Sequence, residues 1–308
     1  MSQKKNFRKK LLNRGHGYPF QISISGVDRR QSFPYTAGQF ILFRDVFGMT
    51  VNVKIEDHLL LIEINRPEKY NAMTQGMYHD LARAYFRLDQ EEDARVGLVY
   101  AVGPHFTSGL ELTDWGGTFD AGKGFPFVAE NEIDPFYVMS QRRCRKPVVM
   151  AVQGYCYTWG FEMMLSTDIR VAANDTRFAM LEVKRGFFPA AGATLRLPRE
   201  IGWANAMRYM LTGEEMSAAE AYRLGLVQHL TEPGKQLDLA LEIARSVARA
   251  APLGVQGALA SCRKAAEEGD KAALAVMFRD VAQVMKSEDM KEGLQSFVER
   301  RTAVFKGK

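Results

Sequence analysis

Strand-like and helix-like hydrophobic patterns alternate from Met49 to about Ala193, and the pattern beyond Ala193 is almost entirely helical. Val51–Glu56 alternates apolar and polar residues, and the mostly apolar stretch Leu59–Ile64 follows after a short turn, which predicts a β-hairpin. Strands that alternate with helices are typical of an α/β core in which helices cover a sheet. The helical remainder predicts an additional layer of helices at the C-terminal end.

Helix signals follow the hairpin and dominate the C-terminal third. Thr74 is a suitable N-cap for a helix that runs to about Gln90. One face of this helix is apolar and consists of Met77, Leu81, Ala84, Tyr85 and Leu88. Further elements are predicted as strands at Val96–Val102, Val148–Val152 and Ile169–Ala173, a helix from about Ile133 to Arg143, and helices at 194–201, 203–211, 217–223, 236–250, 254–267, 270–286 and 288–301.

The composition is that of an ordinary globular protein, since 46% of the 308 residues are hydrophobic and 25% are charged. The three cysteines form no C-x-x-C pair and the five histidines lie far apart, so we expect a reducing compartment and no metal site. The longest weakly charged run, Val148–Leu165, is interrupted by polar residues and glycines. We therefore expect no membrane-spanning helix.

The net charge of +5 is unevenly distributed along the chain. Residues 1–48 contain nine basic and two acidic residues, a net charge of +7, whereas residues 49–308 carry −2. Such an arm could bind nucleic acid or anionic membranes, act as an organellar presequence, or be an extension without packed structure. We expect the last of these, dispensable for folding and activity. The expected location is the cytoplasm, or the mitochondrial matrix if the arm is a presequence.

Two glutamates stand in unusually apolar surroundings. Glu162 lies within Trp159–Leu165 and Glu182 lies within Phe178–Val183. A buried carboxylate costs several kcal/mol unless it is paired or hydrogen-bonded, so such positions are candidates for a general acid or base with a raised pKa. The alternative is that both side chains are half-exposed, or form structural ion pairs with residues such as Arg170 or Lys184.

Two glycine-containing turns follow predicted strands. The segment Gly154–Gly160 connects a buried strand to a helix, and Gly103–Leu112 forms another junction between a strand and a turn. Backbone N–H groups at such junctions can stabilise a developing oxyanion, and two loops that each supply one N–H would form a two-donor hole. The alternative is that the glycines only relieve steric strain in the turns.

Together these motifs resemble the crotonase (enoyl-CoA hydratase/isomerase) superfamily across nearly all of residues 49–308. Each motif is weak alone, but five motifs in the family's order and with its spacing are a specific signal. They are Asn65–Met73, Phe106–Leu112, Lys146–Gly154 with Gly160–Glu162, Phe178–Arg199, and Leu211–Gly213 with Gly225–Val227.

The resemblance implies a fold, an assembly and a substrate class. Residues 49–250 would form a spiral of ββα units, and residues 251–308 a helical trimerisation region. The assembly would be a homotrimer or a dimer of trimers. The substrate would be an acyl-CoA thioester, so that coenzyme A is part of the substrate and no separate cofactor is needed. A nucleic-acid partner is not expected.

The resemblance also implies roles for individual residues. The backbone N–H groups of Leu110 and Trp159 would polarise the thioester carbonyl and stabilise an enolate. Glu162 and Glu182 occupy the two carboxylate positions that hold water and protonate the α-carbon, with the division between acid and base left open. The implied substrate-binding residues are Arg66, Lys69, Asn71, Ala72 and Gly109, with Phe297 and Arg300 reaching coenzyme A in a neighbouring subunit.

The chain departs from the family pattern at three places, one of which is Gly192-Ala193-Thr194 in place of the usual Gly-Gly-Thr. Thr158-Trp159-Gly160 replaces the usual Gly-Gly-Gly, and the Trp159 indole either narrows the acyl pocket or packs into the core. Glu111 replaces the usual aspartate and Asp114 follows it. Additional acids would suit a dienoyl-CoA isomerase, whereas the structural alternative is that Glu111 accepts backbone N–H groups and holds its loop.

The sequence therefore predicts an enzyme of the crotonase fold, most simply an enoyl-CoA hydratase, a lyase. The alternatives are a double-bond isomerase or another enolate-forming member of the family, and a non-catalytic homologue that binds nucleic acid through the basic arm. The presence of both glutamates argues against the non-catalytic alternative.

Overall fold

The computed structural model describes residues 50–118, 128–139 and 142–308. The described residues form nine strands: β1 (Val51–Glu56), β2 (Leu59–Ile64), β3 (Val96–Ala101), β4 (Val148–Val152), β5 (Tyr155–Tyr157), β6 (Ile169–Ala173), β7 (Arg177–Ala179), β8 (Met216–Ser217) and β9 (His229–Thr231). The larger sheet has the order β1-β2-β3-β4-β6-β9, and β5, β7 and β8 form a second sheet. The predicted hairpin β1-β2 is antiparallel, while β2, β3, β4, β6 and β9 pair in parallel.

The same part of the chain contains ten α-helices: α1 (Gln75–Gln90), α2 (Leu112–Trp115), α3 (Trp159–Met164), α4 (Ala193–Ile201), α5 (Trp203–Thr212), α6 (Ala218–Arg223), α7 (Gln236–Ala248), α8 (Pro252–Glu268), α9 (Asp270–Val284) and α10 (Glu288–Glu299). The helices predicted beyond residue 193 are confirmed. The N-cap of α1 is confirmed as well, since the Met77 N–H donates to Oγ1 of Thr74 at 3.2 Å.

The helix predicted from Ile133 to Arg143 is wrong over its described residues, 133–139 and 142–143, none of which is helical. The buried Asp134 carboxylate accepts the N–H groups of Phe136, Val138 and Met139 at 2.7–3.0 Å. Because the chain wraps around this side chain, its N–H groups do not enter a helical ladder. Tyr137 accordingly has a positive φ of 53°.

Four short strands were not predicted. β5, β7, β8 and β9 contain only two or three residues each, too few to show an alternating pattern. They matter for the site, because β5 and β7 pair in parallel and fix the backbone that enters α3.

The larger sheet is buried on both faces. Leu59 and Leu61 of β2 pack, with residues of β3, β4 and β6, against a face of α7 formed by Ala240, Ala244 and Ala248. The intervening β2 residues Leu60, Ile62 and Ile64 belong to the larger core, which also contains the predicted apolar face of α1. The period of two along β2 thus divides its side chains between two helical layers.

Residues 1–49 lie outside the described residues, so the expectation about the basic arm remains a prediction, as do the domain boundaries at residues 48 and 250. Within the part that is described, no helix is both long and apolar enough to cross a membrane.

Candidate active site

Three loops meet at the carboxyl ends of the parallel strands β2, β3 and β4. They comprise residues 65–73, residues 102–111, and the segment from Gln153 through β5 to Thr158. Ligands of open α/β sheets bind outside the carboxyl ends of the strands. The sheet topology therefore brings three of the sequence motifs to one edge.

Asn71 joins the first two loops. Its side chain is fully buried; Oδ1 accepts the Arg66 N–H at 2.7 Å, and Nδ2 donates to the carbonyls of Val102 and His105 at 2.9 and 2.8 Å. The residue has a φ of 54°, which asparagine tolerates better than most residues. The side-chain amide of Asn71 is thus used to hold the loops together. Its backbone is engaged as well, since the N–H donates to the Arg66 carbonyl at 2.9 Å and the carbonyl accepts the Thr107 hydroxyl at 2.6 Å.

The backbone around Leu110 is oriented by Met73. The Met73 N–H donates to the Gly109 carbonyl at 2.8 Å, and the Glu111 N–H donates to the Met73 carbonyl at 2.9 Å. Successive N–H groups of an extended chain point to opposite sides, so the Leu110 N–H faces away from Met73. Within the described residues it donates to no acceptor, and Leu110 lines a cavity.

Trp159, which lines the same cavity as Leu110, supplies a second backbone N–H. It is the first residue of α3, where a helical N–H has no partner inside the helix, and no other described residue accepts it. The two loops touch just before these donors, because a Cβ on Gly109 would lie 2.3 Å from Oγ1 of Thr158. Leu110 comes directly after Gly109 in the chain, and Trp159 comes directly after Thr158. The contact therefore brings the predicted pair of oxyanion donors together.

Thr158 holds a strained conformation at this contact. Its φ of 47° and ψ of −110° are unusual for a β-branched residue. The backbone is nevertheless fixed, because the Thr158 N–H donates to the Ala179 carbonyl of β7 at 2.7 Å. This strain was not predicted, although a threonine in place of a family glycine was the available signal.

Leu110 and Trp159, which carry these N–H groups, line a cavity of about 190 Å³. Both candidate carboxylates line it, together with apolar side chains and one arginine. The lining residues are Ser108, Leu110, Leu112, Thr158, Trp159, Glu162, Leu181, Glu182, Arg185, Phe187 and Ala190.

Glu162 lies one turn into α3 and is only 3% exposed. Its Oε1 accepts the N–H groups of Ala191 and Ala193 at 2.8 and 3.0 Å. Burial raises the pKa of Glu162 to about 8 and the charge of Glu182 adds to this rise, although the Ala193 and Ala191 N–H groups and Arg196 favour the ionised form. At neutral pH this carboxyl group therefore retains a proton for most of the time.

Glu182 begins the short 3₁₀ helix Glu182–Arg185 and is 4% exposed. Burial raises the pKa of Glu182 to about 7, against a smaller lowering by its own backbone N–H. Its Oε2 has no hydrogen-bond partner among the described residues. A buried, unpartnered carboxylate oxygen on a cavity wall is placed to accept a proton or to hold water.

Neither glutamate forms the structural ion pair considered as an alternative. The Arg170 guanidinium pairs with Glu200 and with the carbonyls of Leu165, Thr167 and Leu226. No ion pair joins Glu182 to Lys184 within the described part of the chain. The observed burial also excludes the half-exposed alternative.

Arg196 positions the two N–H groups that bind Glu162. Its guanidinium donates to the Phe136 carbonyl at 2.6 Å and to the Ala191 carbonyl at 3.3 Å. A Cβ on Gly192 would lie 2.0 Å from the Arg196 Nη1, and Gly192 has a φ of 109°, so the turn requires glycine here. Sequence reasoning did not assign this role; the available signal was a glycine four residues before an arginine at a helix start.

The Trp159 indole packs into an aromatic cluster. Its ring stacks on Phe136 at 4.7 Å between centroids, meets Trp115 edge-on at 5.3 Å and lies 5.7 Å from Tyr78. Trp159 is 2% exposed and also lines the cavity. The alternative in which the indole packs into the core is therefore confirmed, while narrowing of an acyl pocket by this residue stays a prediction.

The two additional acids do not line the cavity. Glu111 accepts from the Arg66 guanidinium at 3.3 Å and from the Thr113 hydroxyl at 2.9 Å, and the latter, with Arg66, lowers its pKa. The expected backbone acceptor role of Glu111 is thus replaced by contacts to two side chains. Asp114 accepts the Gln75 N–H at 2.6 Å. The two extra acids were the specific argument for an isomerase. Since both have other partners and neither lines the cavity, they no longer support that alternative.

The remaining predicted residues lie outside the cavity lining. The Arg66 guanidinium donates to the Ala72 carbonyl at 2.7 Å, which closes the loop around the exposed Lys69. Phe297 is 83% exposed on α10, and Arg300 caps that helix with a φ of 53°. Their contacts with coenzyme A stay predictions.

Comparison with known proteins agrees with this geometry. The family model for enoyl-CoA hydratase/isomerase matches residues 54–308. An enoyl-CoA hydratase from Mycobacterium tuberculosis is 32% identical over 266 residues, which span 85% of this chain and 98% of that protein. The (E)-benzylidenesuccinyl-CoA hydratase of Thauera aromatica is 31% identical over 264 residues, spanning 84% of this chain and 100% of that protein.

A solved structure extends the likeness to the fold. A probable enoyl-CoA hydratase/isomerase from Mycobacterium abscessus matches with a TM-score of 0.80 and 40% identity, covering 84% of this chain and 99% of that chain. The α/β crotonase fold predicted from the motifs is thereby confirmed. The chain belongs to the enoyl-CoA hydratase/isomerase family of the crotonase superfamily.

Proposed function

We propose that this protein is an enoyl-CoA hydratase, which adds water across the α,β double bond of an enoyl-CoA thioester. The observation that carries the proposal is the pairing of two buried carboxyl groups, Glu162 and Glu182, in one cavity with two unpartnered backbone N–H groups. The named hydratase relatives support the same reaction class. The test is the loss of the conjugated thioester absorbance when enzyme is added to a short 2-enoyl-CoA.

The N–H groups of Leu110 and Trp159 would bind the thioester oxygen. Attack at the β-carbon moves an electron pair through the double bond onto this oxygen, so negative charge develops between the two donors. Donors already oriented in a buried site stabilise such charge without reorganisation, which is commonly the largest catalytic contribution.

The glutamate pair would move the protons. With one carboxyl group ionised and the other protonated, the ionised group accepts a proton from water as its oxygen bonds to the β-carbon. The protonated group then donates its proton to the α-carbon, and the double bond is consumed. The pair ends with one proton, as it began, so the cycle balances without any other group.

We expect a bell-shaped dependence of kcat/KM on pH. The pKa values of about 7 for Glu182 and about 8 for Glu162 make the singly protonated pair most abundant between these two pH values. Activity should fall below about pH 7, where both groups are protonated, and above about pH 8, where both are ionised. Initial rates at subsaturating enoyl-CoA across pH 5.5–9.5, about the range over which such a pair titrates, measure this profile.

Folding stability provides an independent check of the same pKa values. Both acids have folded pKa values above the 4.5 of the unfolded chain, so their contribution to stability is complete below pH 4.5 and is lost as pH rises through 7 and 8. Glu162→Gln should flatten this part of the curve of unfolding free energy against pH. A wild-type profile that stays flat from pH 5 to 9, roughly the window between these pKa values, would contradict the assignment.

Coenzyme A would enter as part of the substrate, with no separate cofactor. The loop around Arg66, Lys69 and Ala72 is expected to bind its adenine and phosphate end, since the exposed Lys69 lies in the loop that follows β2. Phe297 and Arg300 would contribute from a neighbouring subunit.

The proposed assembly is a homotrimer or a dimer of trimers. α9 and its C-cap residue expose an apolar row with helical spacing, formed by Leu274, Phe278, Val281 and Met285, and α10 exposes Leu294, Phe297 and Val298. Exposed apolar patches of this kind mark protein–protein interfaces. They support burial between copies of the chain.

We expect light scattering at micromolar concentration to give the mass of three or six chains. Phe278→Glu should shift the population toward monomer, because it would place a charge within the apolar row of α9. Glu268→Gln, on an exposed side chain of the preceding helix, is the matched control and should not change the mass. A wild-type protein that remains monomeric would contradict the proposal.

A further inference from the structure

The backbone and the ring of Trp159 have different surroundings: the N–H is at the start of α3, and the ring packs in the aromatic cluster. Its N–H is one of the two oxyanion donors, and Glu162 follows within the first turn of α3. Trp159 lines the same cavity as Leu110 and Glu162, so it lies close to the place that the carbons next to a bound thioester carbonyl would occupy. Trp159 therefore borders the part of the cavity that an acyl group would enter.

The space behind this ring is filled. Tyr78, Trp115 and Phe136 surround the indole, and each is at most 2% exposed. None of the three lines the cavity, whereas Trp159 does. An acyl group cannot extend in this direction without displacing aromatic side chains from a close-packed core.

The aromatic cluster is anchored from two sides. The Trp115 indole donates to the Met73 carbonyl at 2.8 Å, and the Tyr78 hydroxyl lies 3.4 Å from the Asp134 carboxylate. The Trp159 indole N–H has no acceptor among the described residues, so packing alone holds that ring. The Trp159 ring is thus held by packing contacts, among them its stacking on Phe136 at 4.7 Å between centroids.

We propose that Trp159 determines acyl-chain specificity by closing the acyl end of the cavity, so that the enzyme selects short enoyl groups. The inference rests on the proposed hydration of enoyl-CoA thioesters. One methylene group that fits or fails to fit an apolar pocket changes kcat/KM by roughly 10–200-fold. An aromatic side chain beside the reacting carbons should therefore give a clearly higher kcat/KM for short than for long substrates.

The experiment compares kcat/KM for straight-chain 2-enoyl-CoA substrates with short, medium and long acyl groups. For the wild-type protein we expect the ratio of shortest to longest to be at least about 10. Trp159→Leu and Trp159→Ala should lower this ratio by about tenfold or more, because each replaces the indole by a smaller side chain. The ratio of two substrates does not depend on the fraction of enzyme that is folded.

Trp115→Phe is the matched control. Trp115 contacts the Trp159 ring at 5.3 Å but does not line the cavity, so its shortening should leave the chain-length ratio within about threefold of wild type. If it changes the ratio as much as Trp159→Leu does, the cluster as a whole and not Trp159 sets the specificity, which overturns the assignment.

Failure of this inference is distinguishable from failure of the proposed function. A wild-type enzyme that hydrates short and long enoyl groups equally well would overturn the role of Trp159 while supporting hydration. A wild-type enzyme that hydrates none of the series would overturn the proposed function. The wild-type dependence of kcat/KM on acyl length can overturn the inference by itself. The test therefore remains decisive even if the Trp159→Ala protein does not fold.

Discussion

Replacing Glu162 by glutamine is expected to lower kcat/KM for enoyl-CoA hydration by about 10²–10⁴. Glutamine is close in size to glutamate and can still accept the Ala191 and Ala193 N–H groups, but it can neither take up nor release a proton in the reaction. Glu182→Gln should cause a loss of the same order. Initial rates together with the binding of a saturated acyl-CoA measure catalysis and binding separately.

Binding of the saturated acyl-CoA should be largely retained in both variants, because the expected contacts with coenzyme A lie elsewhere. Asp114→Asn is the matched control: its carboxylate accepts the Gln75 N–H outside the cavity lining, and asparagine keeps an acceptor. If either glutamine variant remains near wild-type activity across several acyl lengths, the two-carboxylate hydratase mechanism is wrong. A single-acid isomerase would then be preferred.

Gly109→Ala is expected to lower kcat/KM by about 10²–10³, the usual consequence of losing one oxyanion donor. Gly109 has a φ of 114°, and a Cβ there would lie 2.3 Å from Thr158 Oγ1. Either the loop that carries the Leu110 N–H moves away from Trp159, or the Thr158 backbone shifts. The strained conformation should also cost about 1–3 kcal/mol of unfolding free energy, measured by denaturant titration alongside the rates.

Two further variants distinguish the steric clash that Gly109→Ala introduces from the strain that it imposes on the backbone. Gly116→Ala lies in a nearby segment where the backbone is right-handed helical and an added Cβ meets nothing within 4 Å, so it should leave the rate unchanged and should not lower the free energy of unfolding. Adding Thr158→Ala to Gly109→Ala removes Oγ1, so it should restore part of the activity while the φ strain remains. Full activity of the Gly109→Ala single variant would show that the junction of the two loops does not position the donors.

Much of the fold could be predicted because its longer elements carry a strong hydrophobic period. α1 shows a cap and a clear apolar face, and β2 separates its side chains between two layers. β5 and β7 are three residues long and carry no period, so only their pairing in space defines them. The wrong helix at Ile133–Arg143 has a physical cause as well, since one buried carboxylate, Asp134, captures the N–H groups that a helix would have used.

In the candidate site, too, some features could be predicted from the sequence and others could not. Glu162 and Glu182 could be predicted because charge in an apolar segment is visible in the sequence itself. The contact between Gly109 and Thr158 joins residues that are far apart in the chain, and no local pattern reports it. The support that Arg196 gives to the Glu162 N–H donors likewise depends on a turn whose shape appears only in three dimensions.

The most direct test of hydration is to incubate the wild-type enzyme with a short 2-enoyl-CoA in water enriched in heavy oxygen and to analyse the product by mass spectrometry. The two-carboxylate mechanism predicts a 3-hydroxyacyl-CoA that has gained one water and carries the heavy oxygen on the β-carbon. Glu162→Gln and Glu182→Gln should form this product at least about 100-fold more slowly. A product of unchanged mass with a displaced double bond, or no product from any enoyl-CoA, would contradict the account.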